Sequence, residues 1–384
     1  MSYQERNLSA YEMFRQLAEK HVPALAFRGT SVDDFRAWHD ITLPQVIATL
    51  GAWPEPVPPN PELILEWRSG NVIKQRWILD VQEGLSATMY VQYREEASDN
   101  RPRPAILCWH GHGPHGKDAV VGAPGSPEIE EYNQRFNSDY GKVMAEMGYV
   151  TFAIDWIGKG ERDETVKPHF RSLAEGRDWC NLYYLNATMM GTTVLAMNLL
   201  HGKAATDVVA NLPFVDSERL GVMGLSGGGT MALWTALCDE RIKAVEIICY
   251  SDLWAVTGFR DVNYCGMQVA PGLYKLVDIA DLQGLLAPMP LLVDIGIFDD
   301  CFKVDGAIAC YRQVERIYRA AGCPDRLELD LFEGGHAWGA NRSSAFFDRH
   351  LRGYRASTGS GSPHVERPMT GQPPVLRKEV VNES

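Results

Sequence analysis

The sequence predicts an α/β fold in which helices flank a mainly parallel central sheet and a helical extension precedes it. Between residues 105 and 351, apolar strand patterns alternate with helical patterns, which is typical of a parallel sheet covered on both faces. A glycine-rich strand-to-helix turn, Gly224-Leu225-Ser226-Gly227-Gly228, interrupts this alternation. The 384 residues, 45% apolar and 22% charged, suffice for one large α/β domain with additions.

The N-terminal part of the chain predicts the helical extension. Helical patterns over residues 11–21 and 32–50 precede a segment, residues 53–61, that contains five prolines. Proline is excluded from helix interiors, so this segment is an extended connector. We therefore divide the chain into an N-terminal helical extension with a Pro-rich connector at 1–61, an α/β domain at 62–355 and a disordered tail at 356–384.

The central part changes from alternating strands to strand–helix units. Residues 62–80 and 85–93, interrupted by Ser69-Gly70-Asn71 and Glu83-Gly84, predict antiparallel strands at one sheet edge. Further strands are predicted at 105–109, 150–155, 219–223, 244–249, 290–296 and 327–332. Helices are predicted at 128–147, 182–201, 230–237, 306–321 and 343–351. The long irregular segment 250–289 follows a strand, where loops commonly build a pocket.

The glycine-rich turn fits the G-x-S-x-G nucleophile elbow. In this motif a strained turn between a strand and a helix exposes a serine hydroxyl above the sheet. Small neighbours leave room for the turn, and this chain supplies Gly224, Gly227, Gly228 and Gly229. A glycine-rich loop that opens a helix can also bind a phosphate, so the motif needs partners elsewhere. Ser226 is the candidate nucleophile.

The last two predicted strands each end in a residue that would complete a catalytic triad. A serine hydrolase with this elbow has the chain order Ser, then acid, then His. His336 follows the last strand as the candidate base, with a surface position in a glycine turn as its alternative. Asp299 follows the strand before it and is the preferred acid. Asp300 and Glu246 remain alternatives for the acid.

The motif His110-Gly111-His112-Gly113 follows the strand at 105–109 and predicts the rest of an oxyanion hole. The backbone amides of His112 and Gly227 are the candidate donors, and one such donor is worth about 3 to 4 kcal/mol of transition-state stabilisation. A competing hypothesis is that His110, His112 and His115 chelate zinc. We disfavour it because the neighbouring sequence offers no carboxylate to orient the imidazoles. The sequence therefore predicts neither a metal nor an organic cofactor.

Three further side chains are candidates for binding a substrate. Trp156 and Lys159 follow the strand at 150–155, and Trp338 stands two residues after His336. Tryptophans at strand ends could line an apolar substrate wall, but core packing explains them equally well. Lys159 could meet an anionic substrate group or be solvated.

Charge and composition restrict the partners and the compartment. A net charge of -12 argues against nucleic acid and anionic membranes as partners. The first residues lack a signal-peptide pattern, and no stretch approaches the roughly 18 apolar residues of a membrane span, so we expect a cytoplasmic protein. The eight scattered cysteines, with no C-x-x-C pair, predict reduced thiols. A homodimer, the commonest assembly, remains open.

Taken together, these motifs resemble the dienelactone-hydrolase and acetyl-xylan-esterase branch of the α/β-hydrolase superfamily, especially its members with an N-terminal helical extension. The resemblance covers about residues 35–352 and implies the α/β-hydrolase fold. It also implies a serine hydrolase that cleaves a small-molecule carboxylic ester. The chain departs from the branch at Lys159, where relatives often carry an aromatic residue, and at Phe302-Lys303, where they often carry a proline.

Two other functions are compatible with the same residues. The triad could cleave a carbon–carbon bond of a β-diketone-like substrate or open a lactone. The scaffold could also bind a ligand without catalysing a reaction. Turnover of simple nitrophenyl esters favours the esterase over the carbon–carbon hydrolase, and covalent labelling of Ser226 excludes the binding module.

Overall fold

The computed structural model describes residues 6–95, 101–123, 126–164, 179–263 and 265–353. The strands in these ranges are β1 (Glu62–Ser69), β2 (Val72–Gln82), β3 (Leu85–Arg94), β4 (Arg103–Trp109), β5 (Val150–Ile154), β6 (Val215–Leu225), β7 (Ile242–Ile248), β8 (Leu291–Gly296) and β9 (Leu327–Phe332). The α-helices are α1 (Ala10–Lys20), α2 (Val32–Ala48), α3 (Gly116–Val120), α4 (Pro127–Phe136), α5 (Tyr140–Glu146), α6 (Trp179–Met189), α7 (Val194–Ala210), α8 (Gly227–Cys238), α9 (Leu273–Leu276), α10 (Ile279–Gly284), α11 (Val304–Ala320) and α12 (Ser343–Phe347). The predicted tail at 356–384 lies outside the described residues.

The strands form one sheet in the order β1-β2-β3-β5-β4-β6-β7-β8-β9. The pairs β1–β2, β2–β3 and β3–β5 are antiparallel, whereas every pair from β5 to β9 along the sheet is parallel. The expected α/β fold with antiparallel strands at one edge is therefore confirmed. In this order β4 lies between β5 and β6. The chain therefore passes from β4 to its neighbour on one side, β5, and later returns to its neighbour on the other side, β6. Ligands of such sheets bind at this switch point, beyond the carboxyl ends of the strands.

The N-terminal helices pack against the rest of the chain. Phe35, Val46 and Leu50 are buried and belong to the same hydrophobic cluster as the strands. Burying each such side chain contributes about 1.5 to 3 kcal/mol. The end of this segment is also fixed by a hydrogen bond from Thr193 Oγ1 to the carbonyl of Leu50 (2.9 Å). Among the described helices, none is long and apolar enough to cross a bilayer.

Two predicted helices are each broken into two. The pattern over 128–147 forms α4 and α5, and Asn137 ends α4 in the left-handed conformation (φ 51°). The pattern over 182–201 belongs to α6 and α7, between which Gly191 has a φ of 77°. Asparagine and glycine adopt this conformation at low cost. Thr193 then starts α7, because its Oγ1 accepts a hydrogen bond from the amide of Ala196 (3.0 Å).

Candidate active site

Ser226 stands in a sharp turn between β6 and α8 and is partly exposed. Its backbone has φ 60° and ψ -120°, a conformation that costs a non-glycine residue about 1 to 3 kcal/mol. The amide of Ser226 donates to the carbonyl of Ile248 (2.8 Å), which fixes the turn on β7. A Cβ atom at Gly224 or Gly228 would clash with a backbone oxygen. The close packing around the turn therefore holds the strained serine.

His336 and Asp299 form a hydrogen-bonded pair, with 2.9 Å between Nδ1 and Oδ2. The Asp299 side chain is 1% exposed, and its other oxygen accepts from the amides of Cys301 (2.8 Å) and Phe302 (2.9 Å). Because the carboxylate accepts at Oδ2, the Nδ1 atom of His336 carries the proton and Nε2 points away from Asp299. Asp300, in contrast, is exposed to solvent.

The imidazole of His336 also stacks on Phe302. The ring centroids are 5.8 Å apart with an interplanar angle of 16°, and Phe302 is buried. Tyr250 packs on Phe302 in turn, with 5.6 Å between centroids. The sequence analysis gave Phe302 no role. Its position three residues after Asp299 brings the ring back over His336, so it helps to fix the orientation of the imidazole.

The loop after β4 contacts the turn at Ser226. A Cβ atom at Gly111 would lie 3.5 Å from the Cβ of Ser226, and one at Gly227 would lie 2.7 Å from His112 Nδ1. His112 and Gly227 are therefore neighbours at the switch point of the sheet. As the first residue of α8, Gly227 has an amide hydrogen that the helix leaves without an internal acceptor.

The three histidines of this loop point in different directions. His110 is buried and accepts from the indole of Trp156 at Nδ1 (2.5 Å), and burial lowers its pKa to about 4. His112 faces Cys265, whereas the ring of His115 packs edge-on against Tyr132. Within the described residues these three imidazoles form no common metal cluster.

A buried ion-pair network supports the same loop. Lys117 is 0% exposed, and its Nζ donates to Asp155 Oδ2 (2.6 Å) and Glu161 Oε2 (2.7 Å). Burial alone would raise the pKa of Asp155, but the Lys117 ammonium and His110 hold it below its usual value. Despite its burial, Glu161 has its pKa lowered to about 2 by Lys117 and its hydrogen bonds. Asp155 also lies 3.5 Å from His110 Nε2, so the expectation that no carboxylate approaches these histidines is wrong.

Of the three residues predicted to contact substrate, two are buried and one is accessible to solvent. Trp156 is 0% exposed and packs edge-on against His112, so it supports the loop that carries His112. Trp338 is 3% exposed and lies in the core, where its indole donates to Glu246 Oε1 (2.9 Å) and Ser343 Oγ (2.8 Å). The expectation that these two tryptophans line a substrate wall is corrected, because neither ring reaches solvent. Lys159 is half-buried and remains accessible.

Glu246 belongs to the core and does not contact His336. It is 0% exposed, and burial raises its pKa to about 8. Ser343 donates to its Oε1 (2.6 Å), and the charge of the buried Asp330 raises the pKa of Glu246 further. Glu246, which the sequence analysis left as an alternative acid, therefore bonds to Ser343 and Trp338 in the core.

These contacts make Trp338 a structural residue, which a single substitution tests. We expect Trp338→Phe to lower the free energy of unfolding by about 1 to 3 kcal/mol, since Glu246 loses a buried donor. The KM for ester substrates should not change. Urea unfolding and steady-state kinetics measure both quantities, with the exposed Trp53→Phe as the control. A raised KM with unchanged stability would return Trp338 to the substrate site.

The mainly parallel sheet, the serine turn after β6 and the polar residues after β4, β8 and β9 define an α/β-hydrolase. A sequence model of the Abhydrolase family matches residues 2–339, and the chain belongs to this family. The predicted resemblance to the α/β-hydrolase superfamily and the expectation of a hydrolase are thereby confirmed.

Individual relatives agree with this assignment. YtaP of Bacillus subtilis (strain 168), named as a hydrolase, is 26% identical over 298 residues, which are 76% of this chain and 92% of YtaP. A Bacteroides fragilis NCTC 9343 structure described as an acetyl xylan esterase has a TM-score of 0.68 at 18% identity and covers 90% of this chain and 91% of its own. A glucuronoyl esterase from Solibacter usitatus has a TM-score of 0.62 at 16% identity, with coverages of 86% and 97%. The two structures show the shared fold.

Proposed function

We propose that this protein is a serine hydrolase that cleaves carboxylic esters of small or medium organic acids or alcohols through an acyl-enzyme on Ser226. The observation that carries the proposal is the 2.9 Å contact between His336 and Asp299. This pair lies at the carboxyl ends of the strands, where the strained Ser226 also stands. The names of the fold relatives, an acetyl xylan esterase and glucuronoyl esterases, support an ester as the substrate class.

In this mechanism His336 is the general base. Asp299 accepts a hydrogen bond from Nδ1, so Nε2 is available to remove the proton from Ser226 Oγ as the oxygen attacks the ester carbonyl. The carboxylate stabilises the imidazolium that forms, and Phe302 keeps the ring in place. The imidazolium then gives the proton to the leaving alcohol. Water activated by the same imidazole releases the acid from Ser226.

The oxyanion of the tetrahedral intermediate needs hydrogen-bond donors that are already in position. We assign this role to the backbone amides of Gly227 and His112, because the two residues are in contact beside Ser226. Removing one donor of this kind typically costs about 3 to 4 kcal/mol of transition-state stabilisation. Lys117 and Asp155 act indirectly, because they hold the loop that carries His112.

Substrate recognition in this proposal falls to accessible residues near the mouth of the site. Of the three residues predicted from sequence we retain Lys159, whose ammonium would meet an anionic group of the ester. We also retain residues 62–355 as the catalytic domain and residues 1–61 as an N-terminal extension, of which Phe35, Val46 and Leu50 pack against that domain.

Covalent labelling and chain-length profiling test the proposal. A fluorophosphonate probe should label the wild type, and nitrophenyl esters from acetate to decanoate should be hydrolysed with a preference for short acyl chains. Ser226→Ala should abolish labelling and turnover. Ser217→Ala, an exposed serine on β6, should leave both unchanged and serves as the matched control.

Two results would contradict the proposed esterase. A folded wild type that is labelled but hydrolyses only β-diketones or lactones would be a hydrolase of those substrates. A folded wild type that is neither labelled nor active would be a ligand-binding protein on this scaffold.

A further inference from the structure

Three side chains without a role in the proposed proton transfers meet beside the loop after β4. They are the imidazole of His112 and the thiols of Cys180 and Cys265, and their possible ligand atoms all lie within 4.8 Å of one another. His112 Nε2 is 2.9 Å from Cys265 Sγ. The residues come from three segments that are distant in sequence: the loop after β4, the first turn of α6 and the segment after β7.

We propose that His112, Cys180 and Cys265 bind a zinc ion, with the fourth coordination position open to water or a small ligand. Two thiolates and one imidazole form a ligand set that zinc accepts, and two thiolates neutralise its charge. Zinc–sulfur and zinc–nitrogen bonds of tetrahedral geometry place the ligand atoms about 3.5 to 3.8 Å apart. His112 Nε2 and Cys265 Sγ are 2.9 Å apart and all of the ligand atoms lie within 4.8 Å of one another, so closing the site around the ion needs only small side-chain movements.

The backbone that carries the two cysteines is already held together. The amide of Gly266 donates to Asn181 Oδ1 (3.0 Å), which joins the residue after Cys265 to the residue after Cys180. Gln268 donates to Thr230 Oγ1 on α8 (3.0 Å) and accepts from the amide of Cys265 (3.4 Å). A site whose ligands are fixed in advance binds its metal more tightly, because less conformational entropy is lost on binding.

The imidazole of His112 presents the appropriate nitrogen to these thiols. Its Nε2 faces Cys265, and its other nitrogen adjoins Gly227. Trp156 packs edge-on against the ring, with 4.9 Å between centroids. His112 and Cys265 are partly exposed, so a cation can enter from solvent. The imidazole ring of His112 would then separate the bound zinc from Gly227, whose amide is one of the two proposed oxyanion donors.

A second group in the structure also has metal-ligating atoms, but it is less suited to an ion. Cys249, Asp299 and His336 lie within the same distance of one another. There the Nδ1 atom of His336 is engaged by Asp299, and the Cys249 thiol donates to the carbonyl of Ala337 (3.3 Å). Binding of zinc at this second group would require breaking the pair that the proposed mechanism uses.

The test uses the full chain, reduced and stripped of metal by a chelator. Cobalt(II) replaces zinc as a coloured probe, and zinc affinity is measured by competition with a chromophoric chelator. We expect the wild type to bind a single cobalt ion per chain with a thiolate-to-cobalt absorption band. Cys180→Ser and Cys265→Ser should each lose the band and weaken zinc binding by at least about 100-fold, since each removes a direct ligand.

Controls separate this site from the other candidates. Cys238→Ser, a partly exposed cysteine on α8, and His336→Ala should keep the band, while circular dichroism reports that each variant is folded. The proposal would be overturned by the absence of a band in the wild type, by a band that survives both serine variants, or by a band that is lost only in His336→Ala. Metal-free protein that forms a Cys180–Cys265 disulfide but binds no metal when reduced would also overturn it. The binding measurement does not depend on hydrolase activity.

Discussion

Replacing Asp299 by asparagine is expected to lower kcat for ester hydrolysis about 10⁴-fold, the loss seen when a triad acid becomes an amide. The amide NH₂ can face Nδ1 of His336 and favours the tautomer that cannot act as the base. Asp300→Asn is the matched neighbour and should stay within about twofold of the wild type, because the hydrogen bond to His336 comes from Asp299 and the Asp300 side chain is exposed to solvent. Steady-state kinetics on a short nitrophenyl ester measures both.

The comparison also tests the assignment of the acid. Glu246→Gln should cause no specific loss of kcat, since the glutamine keeps an acceptor oxygen for Trp338 and Ser343 and Glu246 has no place in the proposed proton transfers. If Asp300→Asn or Glu246→Gln were as inactive as Asp299→Asn in folded protein, Asp299 would not be the sole acid of the triad. Fluorophosphonate labelling should be slowed in Asp299→Asn as strongly as turnover.

Removing the buried ammonium of Lys117 is expected to destabilise the protein by about 3 to 5 kcal/mol, because it leaves Asp155 charged and unpaired in the interior. Lys117→Met keeps most of the side-chain volume and is the variant of choice. Lys142→Met is the control, since both ion pairs of Lys142 within the described residues are long, at 3.9 and 4.0 Å, and this substitution should cost about 0 to 1 kcal/mol. Urea unfolding gives both values.

The same network has a signature in the pH dependence of stability. The folded pKa of Glu161, about 2, is depressed from its ordinary 4.5, so its contribution is fully present above pH 4.5 and is lost as the pH falls towards 2. In Lys117→Met the free energy of unfolding should fall much less over this pH range, because the Lys117 ammonium is the main group that lowers the pKa of Glu161. Equal slopes of unfolding free energy between pH 4.5 and 2 in both proteins would contradict this account.

The members of the proposed triad could be selected from the sequence because each of them follows a strand. The carboxyl ends of parallel strands all lie on the same side of a sheet. Ser226, Asp299 and His336 each follow such a strand, so the fold places all three on that side. The choice between Asp299 and Asp300 needed coordinates to show which carboxylate contacts His336. Adjacent residues at the end of a strand look alike in sequence, although here one is buried and the other is exposed.

The contacts that support the site could not be predicted. Lys117 and Asp155 are 38 residues apart, and His112 and Cys265 are 153 residues apart. Contacts between residues so far apart in the chain produce no periodic pattern in the sequence. The sequence left the burial of Trp338 open for a related reason, because its partner Glu246 lies on β7, 92 residues earlier in the chain. The breaks at Asn137 and Gly191 were missed because the helical segments on the two sides of each residue were interpreted as one continuous helix.

The packing of Val46 and Leu50 has a consequence for how this protein could be shortened or recombined with other sequences. Both side chains are 0% exposed and complete a hydrophobic interior whose remaining walls come from the α/β part of the chain. A chain that began at residue 62 would expose that apolar surface to water and would tend to aggregate. The Pro-rich connector, although it resembles a linker between separable modules, is therefore a poor place to cut.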